Sequence, residues 1–269
     1  MSTVAIRDRL EAIYTHKPLV LAHRGASYDA PQNTLAAFAL ARQMGADGVE
    51  LDTSLTRDGV PVVFHDLMLD RTTNGTGPVR SLDLAAIKAL DAGGKFLPRF
   101  KGEQIPTLDE ALETIGPDLV VNIELKTSRW FTDGLERAVM DTLRRHNAMQ
   151  RVIISSFNPL SLRLFRAIAP DIPVGYLFSP QEPFYLREGW LMVGLSYEAQ
   201  HPYHAMIDSA YMAAQQSQGY RVNTWTVDDP ERIIELRDLG VDAIITNRPD
   251  VALKLACRNM ASTEGGTEY

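Results

Sequence analysis

Short apolar runs rich in β-branched residues alternate with amphipathic stretches along almost the whole chain. After a first helix marked by Ile6, Leu10 and Ile13 at helical spacing, this rhythm predicts strands near 18–23, 48–55, 120–126, 151–156, 173–178, 191–197, 221–227 and 242–246. Helical periodicity predicts helices near 33–45, 107–115, 132–146, 158–168, 184–189, 205–218 and 229–239. The helix at 184–189 lies in the stretch SPQEPFYLREGW, whose two prolines also suit a loop. Strict alternation of strand and helix implies a parallel sheet, and eight such units close into a (βα)₈ barrel of the TIM type.

A ninth apolar run, Val60 to His65, does not fit that count. Only Arg57-Asp58-Gly59 separates it from the second strand, whereas a parallel partner needs a crossover of about a dozen residues or more. Asp58-Gly59 reads as a two-residue hairpin turn, because glycine tolerates the positive φ of a type I′ turn. We therefore expect 60–65 to fold back antiparallel outside the barrel, with Leu55 opposite Val62 and Asp52 opposite His65. Residues 66–104, with RTTNGTG and the Gly/Pro-bearing DAGGKFLPRFKGEQIP, are too long for an ordinary βα connection and read as a small insertion lobe after the second strand. The terminal MASTEGGTEY reads as a polar tail.

With 269 residues, 45% hydrophobic and 23% charged, the chain can bury a full core as one domain spanning 1–269. A net charge of −7 disfavours nucleic acid as a partner. The single Cys257 cannot form an internal disulfide, and the N-terminal stretch lacks the charged-then-apolar pattern of a signal peptide, so the expected address is cytoplasmic. No apolar run approaches the ~18 residues that would span a bilayer, and no stable membrane association is expected.

Chemistry gathers at predicted strand ends, on the face where barrels carry their active sites. The first strand ends in His23-Arg24-Gly25. On the second, Glu50 and Asp52 are two residues apart and project to one side. Neighbouring carboxylates repel, so their pairing asks for a cation or a basic partner. The third strand, VVNIELK, adds Glu124 and Lys126 on one face of a run otherwise dominated by Val and Ile. Three carboxylates without a Cys cluster suit one hard divalent cation, Mg²⁺ or Ca²⁺, better than zinc. Arg24 and Lys126 beside them suit an anion that bridges metal and cations, as a phosphate would. Of the other histidines, His16 and His146 read as solvated, and His201 and His204 in HPYH as rim residues of a Pro-bearing loop.

The blocks AHRGASYDAPQNTLAAF, GADGVELDTSLTRDGVPVVFHDLMLDRTTNGTG, IPTLDEAL, VNIELK, VIISSF, VNTWTVDD and VDAIITNRPD, in this order and spacing, closely resemble the glycerophosphodiester phosphodiesterases, especially the short bacterial cytoplasmic type. The resemblance implies a barrel with an insertion after the second strand. It also implies metal-dependent hydrolysis of glycerophosphodiesters to glycerol 3-phosphate and an alcohol. It assigns metal binding to Glu50, Asp52 and Glu124, acid/base work to His23 and His65, phosphate contacts to Arg24 and Lys126, and a place in the substrate pocket to Trp225. One departure stands out: the family's PENT motif reads Pro31-Gln32-Asn33-Thr34 here, so an amide replaces a carboxylate beside the His-Arg-Gly loop. The nucleophile is either water or the glycerol 2-hydroxyl, the latter explaining why glycerol is required beside the phosphate. A related barrel phospholipase, of the lysophospholipase D or phosphatidylinositol-specific phospholipase C type, is the alternative enzyme. Such an enzyme should expose apolar residues around the mouth, and the run from Pro183 to Leu186 with Trp190 is the candidate for them. A non-catalytic phosphodiester-binding barrel is the other alternative.

Overall fold

The computed structural model describes residues 2–127, 133–187 and 189–256, with the side chains of 2–4 and 186 left undescribed. The predicted tail and Cys257 lie outside these residues, as does the first residue of the helix expected at 132–146. Among the described residues nine strands form one sheet: β1 (Leu19–His23), β2 (Gly48–Leu55), β3 (Pro61–Val63), β4 (Val120–Leu125), β5 (Val152–Ser156), β6 (Val174–Phe178), β7 (Ala199–Pro202), β8 (Arg221–Thr224) and β9 (Ala243–Thr246). All but β3 are parallel, in the order β1-β9-β8-β7-β6-β5-β4-β2, and β1 pairs with β2 to close the ring. The helices are α1 (Ser2–Ile13), α2 (Leu35–Gln43), α3 (Leu84–Lys88), α4 (Leu108–Ile115), α5 (Leu135–Arg145), α6 (Pro159–Ile168), α7 (Phe184–Arg187), α8 (Ser209–Ser217), α9 (Pro230–Leu239) and α10 (Pro249–Ala256). The expected (βα)₈ barrel is therefore the fold. None of the described helices is long and apolar enough to cross a membrane.

Alternation along each strand divides the barrel into an outer apolar shell and a layered interior. Val49 and Leu51 of β2, Val121 and Ile123 of β4 and Ile154 of β5 pack with Phe38, Leu112, Val139 and Phe165 of the surrounding helices. Inside, Ile13 and Tyr14 at the end of α1 join Leu19, Leu21, Val120, Ile153 and Ile245 in an apolar floor. Above the floor lies a polar layer. Asn122 donates to Ser155 Oγ at 3.0 Å, and Asn223 bridges the Tyr14 hydroxyl at 2.7 Å and His201 Nε2 at 3.0 Å. The floor and this layer set the depth at which charged residues of the C-terminal ends can stand.

The structure corrects four expectations. The seventh barrel strand is Ala199–Pro202, not 191–197; the apolar WLMVGL run instead forms a 3₁₀ turn (Trp190–Met192) and loop. That shift places His201 in the barrel wall, fully buried, rather than on a rim loop. Burial pushes its pKa down to about 3, so it stays neutral. His146 is not solvated either, because its Nε2 lies 2.9 Å from Asp109 Oδ1. Lastly, β3 runs antiparallel to β2 as expected, but one residue out of the expected register: Leu55 pairs with Pro61, Thr53 with Val63, and the Phe64 N–H donates to the Asp52 carbonyl. Thr56 explains the slip. Its hydroxyl binds Asp58 Oδ1 at 2.6 Å and accepts from the Val60 N–H at 2.9 Å, which opens the turn to three residues with Gly59 left-handed at φ +83°.

Residues 66–104 carry a small core of their own. Leu69, Val79, Ile87 and Ala92 pack with Val62 and Phe64 at the end of β3, and with Ile105.

Candidate active site

The first strand delivers His23 to the barrel mouth and then turns abruptly. Arg24 is left-handed at φ +56° and Gly25 at φ +82°, and a Cβ on Gly25 would sit 2.6 Å from Ala37. Asn33 is left-handed as well, at φ +57°. Left-handed non-glycine residues cost of order 1–3 kcal/mol each, so the surroundings must hold this loop in place. They do: the Asn33 N–H donates to the Arg24 carbonyl at 2.9 Å, Asn33 Nδ2 donates to Asp52 Oδ2 at 2.9 Å, and the Arg24 guanidinium donates to Gln32 Oε1 at 2.9 Å. Gln32 thus anchors the loop through a neutral acceptor where a glutamate would have added charge.

Glu50, Asp52 and Glu124, all buried, place one oxygen each within 4.8 Å of one another, and this trio is the candidate metal centre. Parallel pairing of β2 with β4 sets Asp52 beside Glu124, and the two-residue period of β2 sets Glu50 on the same side. Burial, reinforced by the charges of Asp52 and Glu124, raises the pKa of Glu50 well above the carboxylate range. Burial raises Glu124 too, and although Lys126 opposes it, Asp52 helps bring it to about 7. Burial also works against ionised Asp52, but Lys126, Arg24 and His65 with the Asn33 hydrogen bond outweigh it and hold this carboxyl below its usual range. Three buried carboxylates of which two resist ionisation match a site built for a cation, and an all-oxygen donor set suits a hard one.

Two cations flank the trio. Lys126 Nζ lies 2.9 Å from Glu124 Oε1 and 3.6 Å from Asp52 Oδ1. Arg24 Nε lies 3.2 Å from Asp52 Oδ2 without hydrogen-bond alignment, and so remains a buried donor in want of an acceptor.

The two imidazoles have different partners. His23 Nδ1 is 2.6 Å from Asn247 Oδ1, which also accepts from Ser27 Oγ at 2.7 Å. Asn247 cannot flip, because its Nδ2 donates to Asp228 Oδ2 at 2.6 Å. An amide oxygen only accepts, so Nδ1 of His23 carries the proton and Nε2, 3.9 Å from Glu50, presents its lone pair. Burial and Arg24 push His23 down to about 4, against the pull of Asn247 and Asp52. His65 Nδ1 instead faces a carboxylate, Asp66 Oδ1 at 2.6 Å, which Arg71 grips through two nitrogens at 2.6 and 3.0 Å. Burial also lowers His65, while Asp52 and Asp66 favour its charged form.

One enclosed cavity of about 120 Å³ is lined by His23, Arg24, Glu50, His65, Glu124 and Lys126, and Trp225 stands at its side. Trp225 Nε1 donates to the His201 carbonyl at 2.8 Å, and its ring meets Phe157 edge-on at 5.4 Å. Every site residue expected from sequence thus lies at this mouth. Four further residues there escaped the sequence reading. Asn247, Asp228 and Asp66 act through their neighbours, and Asn122 points into the cavity with a buried, unpartnered Oδ1.

Charge narrows what the cavity can accept. With a divalent cation held by the trio, three carboxylates, a guanidinium and an ammonium would leave one net positive charge, which a phosphodiester monoanion cancels. The fold and this mouth define a barrel phosphodiesterase. Residues 23–251 match the glycerophosphoryl diester phosphodiesterase family, and the chain belongs to that family. A glycerophosphodiester phosphodiesterase of Caldanaerobacter subterraneus subsp. tengcongensis is 44% identical over 242 residues, which is 89% of this chain and 98% of the relative. An Oleispira antarctica phosphodiesterase, solved in complex with the product sn-glycerol-3-phosphate, superposes with a TM-score of 0.80 at 35% identity, covering 90% of this chain and 98% of that one. The glycerophosphodiester phosphodiesterase of Agrobacterium tumefaciens C58 gives 0.76 at 33% identity, covering 88% and 99%.

Proposed function

We propose that this enzyme hydrolyses glycerophosphodiesters to sn-glycerol 3-phosphate and an alcohol, using His23 and His65 for proton transfer and Glu50, Asp52 and Glu124 to hold one Mg²⁺ or Ca²⁺. The observation that carries the reading is the convergence of both imidazoles, the carboxylate trio and two cations on one enclosed cavity. The product held by the Oleispira relative supports the glycerol phosphate half of the substrate.

When bound, the divalent cation supplies Lewis-acid polarisation of a phosphate oxygen. The chain's own residues do the rest. Arg24 Nε and Lys126 Nζ balance charge on the phosphate oxygens, the larger part of catalysis in phosphoryl transfer. His23, neutral and with Nε2 free, takes the proton of the nucleophile on the enclosed, glycerol side. Of the two candidates the glycerol 2-hydroxyl is favoured, since Asn122 Oδ1 and the small cavity can position a glycerol. His65, whose Asp66 partner pulls against the burial that lowers its pKa, gives its proton to the departing alcohol and then takes one from the water that opens the cyclic phosphate, as His23 returns its proton to the glycerol 2-oxygen; each proton transfer contributes typically ~10²–10⁴-fold. Trp225 walls the glycerol side. Residues 66–104 act as a lobe of one domain comprising 1–269, and shape the alcohol side through Leu67, Met68 and Arg71. The lone Cys257 agrees with a cytoplasmic site of action.

The test is ³¹P NMR of glycerophosphocholine turnover. The diester resonance should give way to that of glycerol 3-phosphate, with a cyclic glycerol phosphate accumulating at excess enzyme. Phosphocholine as the product would place cleavage on the wrong side of phosphorus and refute the reading.

A further inference from the structure

Two cavities meet at the phosphate site, and they differ in size and chemistry. The inner one, about 120 Å³, ends against Trp225, Leu177 and Ile245 and offers the free Oδ1 of Asn122, which suits a small polyol. The outer one is about 900 Å³, and Leu67, Met68, Phe157, Pro159, Leu160 and Leu191 line it. His65, Glu124, Lys126 and Phe157 border both, so a phosphate held there has glycerol on one side and its alcohol on the other.

The outer cavity is far larger than ethanolamine or choline needs, and most of its wall is apolar. Cavities of about 300–1,000 Å³ enclose drug-sized ligands, so a small alcohol would leave most of this one filled with water against hydrocarbon walls. Of the acidic residues along it, Asp66 is neutralised by Arg71 and Glu124 by Lys126, Asp70 accepts from the Gly77 N–H, and Glu182 stands as a single carboxylate on a wall whose surface is mostly apolar. Apolar surface continues past the rim on the loop after β6. Trp190 is 60% exposed and Val193 79%, and Trp190 stacks edge-on with the exposed Phe184 at 5.1 Å. Contiguous exposed apolar surface of this kind marks a binding site.

We propose that the outer cavity is the alcohol subsite and that it selects glycerophosphodiesters whose departing alcohol carries a long apolar chain, with free glycerol on the other side of the phosphate. The proposal rests on the glycerophosphodiesterase reading. The reaction is unchanged: the bond from phosphorus to the alcohol oxygen breaks, that oxygen leaves with a proton, and water supplies the oxygen and proton that complete glycerol 3-phosphate. Binding of the remote chain raises turnover of dilute substrate because the chain stays bound through the transition state.

The experiment measures kcat/KM for glycerol 3-phosphate release by the full chain with saturating divalent metal. The substrates are glycerophosphoethanolamine and its N-acetyl, N-hexanoyl and N-decanoyl derivatives, each below its aggregation threshold. Burial of a methylene is worth up to about fourfold, so kcat/KM should climb at least ~100-fold from acetyl to decanoyl. Leu191→Asp and Met68→Asp, both on partly exposed wall positions, should each reduce the decanoyl-to-acetyl ratio about tenfold or more. A flat or falling series alongside turnover of glycerophosphoethanolamine would overturn the alcohol subsite and leave the reaction standing, as would variants that keep the full ratio. No glycerol 3-phosphate from any member would instead overturn the reaction itself.

Discussion

Glu50→Gln should stabilise the metal-free protein while abolishing its gain from metal. The trio's oxygens lie within 4.8 Å of one another, and unit charges at that distance repel by about 3 kcal/mol at an effective dielectric of about 20. Lys126 and Arg24 sit against Glu124 and Asp52, leaving Glu50 with His23 at 3.9 Å and the Arg24 backbone N–H at 3.2 Å. Glu50 therefore carries the uncompensated cost of ionising, and an amide of the same shape removes it. The expected gain without metal is roughly 2–4 kcal/mol, or about 5–15 °C in Tm at this chain length. The pH dependence carries a definite sign. Glu50 and Glu124 titrate higher in the folded state, Glu124 at about 7, so between the unfolded carboxylate range near 4.5 and pH 7 these two carboxyls keep protons that the unfolded chain has lost, and their contribution to stability falls as pH rises. His23, at about 4, and His201, at about 3, act with the opposite sign below the unfolded imidazole range, but both are common to wild type and variant and cancel in the difference. The advantage of the Gln variant in chelator should therefore grow as pH rises through that window. Asp52 has the opposite sign, and its contribution is lost only below the window. Saturating Mg²⁺ or Ca²⁺ should reverse the ranking, since only the wild type gains binding free energy. Chemical denaturation at pH 5 and pH 8, with chelator and with metal, provides the assay. A variant less stable than wild type in chelator, or one that gains as much from metal, would refute the reasoning.

His23→Ala and His65→Ala should each lower kcat by several orders of magnitude with the fold intact, and the double variant should be little worse than the worse single; multiplicative losses in steady-state kinetics would show independent roles. Asn247→Leu should lower kcat about 10–100-fold with KM within about twofold, and ¹⁵N-histidine NMR should show His23 losing its Nδ1–H tautomer. An unchanged tautomer would remove Asn247 from the orientation of His23. Replacing residues 66–104 with the equivalent lobe of a relative should change the preference among alcohols and keep the metal requirement, as read from relative kcat/KM values.

Much of the site was legible because its chemistry is local in sequence. Glu50 and Asp52, like Glu124 and Lys126, declare a shared face through a spacing of two, and charges inside Val/Ile-rich strands have few structural uses. What escaped the sequence reading depends on long-range or atomic detail. Asn247 and Asp228 lie some two hundred positions from the His23 they support, and only closure of β9 against β1 brings them there. The seventh strand is four residues long, Ala-Gln-His-Pro, with no apolar alternation, so the neighbouring WLMVGL run drew the assignment to itself. The register of β3 turned on one hydroxyl, that of Thr56, which no hydrophobic pattern encodes. Helix α10 was not anticipated, although Ala252, Leu255 and Ala256 supply its apolar face.

The central claim is that the carboxylate trio serves a metal-dependent cleavage of glycerophosphodiesters, and its most direct measurement is glycerol 3-phosphate release from glycerophosphoethanolamine, coupled to a specific dehydrogenase. The enzyme would be taken through chelator and then titrated with Mg²⁺ or Ca²⁺, beside Glu124→Gln. The account predicts no release in chelator, recovery to full rate at one bound ion per chain, and no recovery in the variant. Full release in chelator, from protein shown to contain no metal, would contradict it.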